Sequence, residues 1–189
     1  YPGDTLNAVS EVLGVKQNSN GKTGVVTVRT DGFNQDDLPV LTYVRWVMVN
    51  KRDETAPVEF APPQTPSPFV PPVQLVLPMG IDFSNYDFAL AGSPHTFEDY
   101  EVGEKIDHVD GMTVEEAEHQ IATRLYQNTA KVHFDQHAAS SGRFKRRLIY
   151  GGVVISLARA LSFNGLGNAF HIAAINGGRH VAPAFAGDT

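Results

Sequence analysis

Eight of the twelve prolines in this 189-residue chain fall between Pro57 and Pro78, in "APVEFAPPQTPSPFVPPVQLVLP". Proline has no backbone donor and a fixed φ, so neither a helix interior nor a central strand can run through such a stretch. Whatever packs before it ends near residue 50, and whatever packs after it starts anew. The chain therefore divides into three expected blocks: residues 1–50, a Pro-rich linker over 51–95, and residues 96–189. Phe60, Phe69, Val70 and "VQLVL" are too apolar for a solvated tether, so we expect the linker to be strapped across a surface.

The first block reads as three consecutive strands. "TLNAVSEVLGVK" alternates through Leu6, Ala8 and Ser10; "NSNG" supplies a turn; "TGVVTVRTDGF" and "PVLTYVRWVMVN" are rich in β-branched and aromatic residues. Short turns between them predict an antiparallel meander, which needs a further layer to be stable. Trp46 is expected in that core. In the third block, "FEDYEVGEKIDH" reads as an entry segment and a short strand. "GMTVEEAEHQIATRLY" places Thr113 and Glu116 at capping-box spacing, with Val114, Ala117, Ile121 and Leu125 along one helical face. Residues 153–161 of "YGGVVISLARALSFNGLGNA" are apolar nearly all round, which predicts a buried helix. "AFHIAAINGGRHVAPAFAGDT" reads as strand again, with Gly177 and Gly178 at a bend or bulge. The fold class expected is α+β.

Composition excludes more than it assigns. A net charge of −6 argues against nucleic acid or an anionic membrane as partner, and no apolar run is long enough to span a bilayer. With no cysteine, disulfides and thiolate metal sites are excluded from these residues, which suits a cytoplasmic protein. The chain starts "YPGDT", without Met, and stops "FAGDT", a turn that should lead into a strand. We read this as a window on a longer protein.

The Gly pair before an apolar helix, then "AAINGGRH" and "PAFAGDT", together with "EDYEVGEKIDHVDG" and "EEAEHQIATRLYQNTAKVHF", resembles the hotdog fold of the MaoC-like enoyl-CoA hydratases. The resemblance covers nearly the whole chain. It implies an antiparallel sheet wrapped round one long helix, with the closing strands of a first hotdog unit in 1–50 and the opening part of a second in 96–189. It also implies a hydro-lyase acting on a small-molecule CoA thioester, without a separate cofactor because coenzyme A belongs to the substrate, and a homo-oligomer. A hotdog thioesterase and a non-catalytic structural hotdog unit are the alternatives.

Hydration of a double bond conjugated to a thioester needs a base for the attacking water and a donor for the charge that develops on the thioester oxygen. The family usually carries D-x-N-P-x-H after its first helix. Here that stretch is "NTAKVH", so His133 fits the pattern while Asn128 stands at the Asp position. The resemblance implies His133 as general acid–base. An amide cannot be a base, so Asn128 is expected to orient water or substrate. An acyl group with its own free carboxylate would repel an Asp there, which Asn avoids. Gly151 is expected to offer its N–H to the thioester at a helix N-terminus, with Gly152 beside it; the alternative is that both glycines admit close packing. Lys131, Arg143, Arg147 and Arg179 are candidates for the phosphates of coenzyme A or the free carboxylate, against the plainer reading of solvated loops. Arg159 is expected to be structural or substrate-facing. "HFDQH" brings His133, Asp135 and His137 into alternate positions, which without a distant third ligand is no metal motif, and no metal is expected.

Overall fold

The computed structural model describes residues 1–58, 60–62, 67 and 69–189. They form two compact units, Tyr1–Phe69 and Val70–Thr189, which divide the Pro-rich stretch between them. Pro63, Pro66 and Pro68 of that stretch lie outside the described residues.

In the first unit, β1 (Asn7–Gln17), β2 (Thr23–Phe33) and β3 (Pro39–Asn50) form an antiparallel meander in the order β1-β2-β3. The register runs Val12 to Val28 and then Gly14 to Thr27, so Leu13 is an extra residue in a bulge. That bulge is where the alternation of β1 blurs in the sequence. At its open edge β1 meets the Pro-rich stretch: the Val15 N–H donates to the Ala61 carbonyl at 2.9 Å and the Ala61 N–H returns a bond at 3.3 Å. Trp46 is 67% exposed rather than in a core. It shares a face of β3 with Val44 and Met48, and among the described residues the unit contains no helix or second sheet to cover that face.

The second unit is helical among its described residues. It comprises α1 (Phe88–Ala91), α2 (Glu116–Leu125), α3 (Lys131–Phe134), α4 (Gln136–Ser140), α5 (Gly151–Leu161) and α6 (Phe163–Leu166). The capping box expected from Thr113 and Glu116 does not form. Glu115 is the N-cap of α2, and the Thr113 hydroxyl pairs instead with that of Thr189 at 2.8 Å. A capping box occurs earlier, where Thr96 and Asp99 close the 3₁₀ turn Phe97–Asp99. That turn falls in the expected entry segment, and residues 101–108 after it form no strand. The strand expected after residue 169 is also absent, because among the described residues the second unit holds no strand to offer it a ladder. Gly177 and Gly178 have open space where a Cβ would stand, so they mark no bulge. The apolar α5 was expected to be buried, yet none of its residues is, and Ile155 is 55% exposed.

The two Gly-Asp-Thr words adopt the same turn. Asp4 N–H donates to the Tyr1 carbonyl at 3.0 Å and Asp188 N–H to that of Phe185 at 3.1 Å. Gly3 and Gly187 take φ of 97° and 94°, a left-handed conformation that glycine adopts without a Cβ penalty. Each Asp carboxylate then reaches back to the nitrogen of the residue that opens its turn. The second turn is anchored to the segment ahead of α2, through Val114 N–H to the Asp188 carbonyl at 2.9 Å and Gly187 N–H to that of Val114 at 3.0 Å.

Candidate active site

Helix α2 ends by turning sharply. Gln127 takes a φ of 51°, and the Asn128 N–H reaches back to the Thr123 carbonyl at 2.9 Å. The Asn128 Oδ1 accepts the Ala130 N–H at 2.9 Å, an Asx turn that sets the direction of entry into α3. This occupies Oδ1 and leaves Nδ2 as the donor that the side chain can present. One turn further on, His133 is fixed from both sides. Gln120 of α2 donates to its carbonyl at 2.9 Å, and its Nδ1 lies 3.1 Å from the Leu148 carbonyl oxygen. A carbonyl only accepts, so Nδ1 carries the hydrogen and Nε2 of the neutral ring keeps its lone pair for an incoming proton.

Behind His133 stands His119, which is completely buried in α2. The two imidazoles meet edge to face at 6.4 Å, and the His133 ring lies 5.8 Å from that of Tyr150. The Tyr150 N–H donates to His119 Nε2 at 2.9 Å. Burial holds the His119 pKa below its ordinary value; nearby Glu116 opposes this, while His133 and Arg147 add to it.

Tyr150 is the N-cap of α5, and Gly151 and Gly152 are its first two residues. Their N–H groups lie in the first turn, where no carbonyl of the same helix can reach them. The close packing expected as the alternative for both glycines is observed. A Cβ on Gly151 would stand 2.5 Å from His180 Nε2, and one on Gly152 would stand 2.8 Å from Cζ of Tyr150. The α5 head, Tyr150, His133 and the Asn128 turn are thus one connected constellation.

The candidate cations are dispersed. Arg147 is paired with Glu116 and also donates to the Phe134 carbonyl at 3.3 Å, tying its loop to α2 and α3. Its guanidinium is thus engaged within the chain. Arg143 lies over the Phe144 ring at 5.1 Å, and its neighbour Arg146 over Phe185 at 3.6 Å. Lys131 is exposed at the start of α3, and Arg179 is exposed next to His180. Arg159 donates to the Ala169 carbonyl at 2.8 Å, a structural tie. Asp135 caps α4 by accepting the Ala138 N–H at 2.9 Å. Among the described residues no group of three or more His, Asp or Glu is placed to hold a metal ion, and no helix is long and apolar enough to cross a membrane.

Three residues at this site were not singled out from the sequence: His119, Tyr150 and His180. The polar "EHQ" inside an amphipathic helix, and the "RH" after the Gly pair, were the available signals.

The chain is 60% identical over its whole length to beta-methylmalyl-CoA dehydratase of Chloroflexus aurantiacus and to mesaconyl-CoA hydratase of Cereibacter sphaeroides. It spans about half of each relative, 54% of their length. A crystal structure described as a MaoC domain protein dehydratase, also from C. aurantiacus, matches with a TM-score of 0.94 at 60% identity, over all of this chain and 54% of that one. The fold is that of the MaoC-like hotdog proteins. A Mycobacterium tuberculosis protein described as a double hotdog matches with a TM-score of 0.57 at 24% identity, over 98% of this chain and 55% of its own, which shows the fold alone. No family model matches the chain. Against the D-x-N-P-x-H pattern of the MaoC-like hydratases, the chain carries Asn128 at the Asp position, an amide already engaged in the turn before α3.

Proposed function

We propose that this chain carries the reaction site of a hydro-lyase that adds water to mesaconyl-CoA and removes it from β-methylmalyl-CoA. The observation that carries the reading is the His133 Nδ1 contact with the Leu148 carbonyl, which leaves Nε2 as a proton acceptor near the head of α5. The 60% identity to a dehydratase and a hydratase supports the substrate class.

In hydration, water oxygen bonds to the carbon β to the thioester while one water proton passes to His133 Nε2. The electron pair of the C=C bond moves onto the thioester oxygen, where the Gly151 N–H and the positive end of the α5 dipole stabilise it. The enolate then collapses as the α carbon takes up that proton from His133 Nε2, which returns the ring to its neutral form. Dehydration runs the same steps in reverse. Asn128 offers Nδ2 to water or to the acyl group, and adds no charge near the substrate's free carboxylate. Lys131, Arg143 and Arg179 are the cations left to meet that carboxylate or the phosphates of coenzyme A. The reading includes a homo-oligomer in the cytoplasm, supported by the exposed apolar surface and the absence of cysteine.

The test is turnover by the full-length protein. Loss of enoyl-thioester absorbance on adding water, abolished by His133→Ala with a fall of about a hundredfold or more, is the expected result. Release of free thiol would show hydrolysis instead. Neither signal, or full turnover by His133→Ala, would overturn the assignment.

A further inference from the structure

We propose that His119 is a positioning residue: its buried Nε2, acting as an acceptor, grips the Tyr150 N–H and so fixes the head of α5 against the His133 ring. The inference rests on the hydratase reading for its functional consequence. Its structural basis is independent of that reading.

Three observations converge on it. First, His119 is a fully buried imidazole, and its placement is set by α2, where the Thr123 hydroxyl donates to its carbonyl at 2.7 Å. Second, its Nε2 accepts from the one backbone N–H that precedes the Gly pair, at 2.9 Å. Third, its ring meets that of His133 nearly at right angles, with centroids 6.4 Å apart. A single side chain therefore touches both halves of the constellation, the proton acceptor and the helix end. The bond also requires a neutral ring, since a protonated Nε2 would oppose one N–H to another. Burial disfavours the charged form and keeps the acceptor available.

Glutamine is the informative replacement, because its Oε1 extends about as far as Nε2 and is also an acceptor. Leucine fills similar space without one. In the full-length protein, His119→Gln is expected to keep kcat for mesaconyl-CoA hydration within about threefold. His119→Leu is expected to lose kcat by about tenfold to a hundredfold, with KM changed far less, since a misplaced catalytic group costs rate more than binding. With 15N-tyrosine labelling, the Tyr150 amide resonance should shift upfield in the Leu variant and stay in place in the Gln variant. A folded Leu variant with wild-type kcat and an unmoved Tyr150 amide would overturn the proposal. If the Leu variant does not fold, the Gln variant decides alone: a displaced Tyr150 amide there counts against it, an unmoved one for it. If the wild-type protein fails to hydrate mesaconyl-CoA, the hydratase reading fails, and the Tyr150 amide still judges the role of His119.

Discussion

His180 lies against Gly151 so closely that a Cβ on that glycine would meet its Nε2 at 2.5 Å and its Cε1 at 2.7 Å. Gly151→Ala must therefore push the imidazole away or tilt the α5 head. We expect turnover of the full-length protein to fall by about a hundredfold, the scale for losing one donor to a developing oxyanion. Combining Gly151→Ala with His180→Ala restores the room. Recovery in the double variant identifies the collision as the cause, whereas unchanged turnover in Gly151→Ala would show that the imidazole swings aside and the α5 head keeps its place.

Asn128→Asp should be structurally silent and chemically selective. A carboxylate oxygen still accepts the Ala130 N–H, so the turn before α3 persists. The variant loses the Nδ2 donor and gains a negative charge. We expect KM for an enoyl-CoA with a free carboxylate to rise about tenfold more than KM for a neutral enoyl-CoA. Equal effects on the two substrates, or a gain on the dicarboxylic one, would refute the charge argument.

The buried His119 predicts how stability responds to acid. Its folded pKa lies below the ordinary 6.5, with burial as the main cause. Below about 6.5 the unfolded chain takes up a proton that the folded state refuses, so the unfolded state binds more protons there. The contribution is thus complete above that value and is lost as pH falls toward the folded pKa. Glu116 works against the effect, while His133 and Arg147 reinforce it. The urea midpoint of the wild-type protein should drop between pH 7 and pH 5.5 by more than that of His119→Gln. Identical drops would show that this ring does not set the response.

Among the described residues the only buried apolar side chains are Ala139 and Ile149, while Trp46, Met48 and Val9 are 67%, 73% and 66% exposed. An apolar surface of that extent calls for a covering partner. Expressed as these 189 residues alone, the chain should bind an apolar dye strongly and associate at micromolar concentration. A dye-silent monomer with a sharp cooperative melt is the contrary result.

The parts of the fold legible in the sequence are those whose physics is local. The three strands follow from β-branched runs between short turns, and α2 and α5 from their periodicity and the Gly pair. What could not be read depends on distant partners. "EVGEKIDH" and the residues after Ala169 have strand-like composition, yet a ladder needs a neighbour that composition does not specify. Thr113 gave up its cap for Thr189, 76 residues away, and Arg147 pairs with Glu116, 31 residues earlier. His133 stands out as a candidate because the spacing from Asn128 carries the family pattern. His119 does not, because a histidine between Glu118 and Gln120 looks like part of a solvated helix face until the Tyr150 N–H is seen to approach it.

The bond pair between Val15 and Ala61 also governs what the meander can recruit. β1 lies at one border of the sheet, where unpaired amides and carbonyls would template strand addition by another polypeptide. Ala61 occupies that border at one position, and Pro62, which follows it, has no N–H with which to extend the ladder. A single alanine backed by proline thus works as a stopper. It satisfies the edge at that one position, and the proline after it keeps the ladder from running on along the chain.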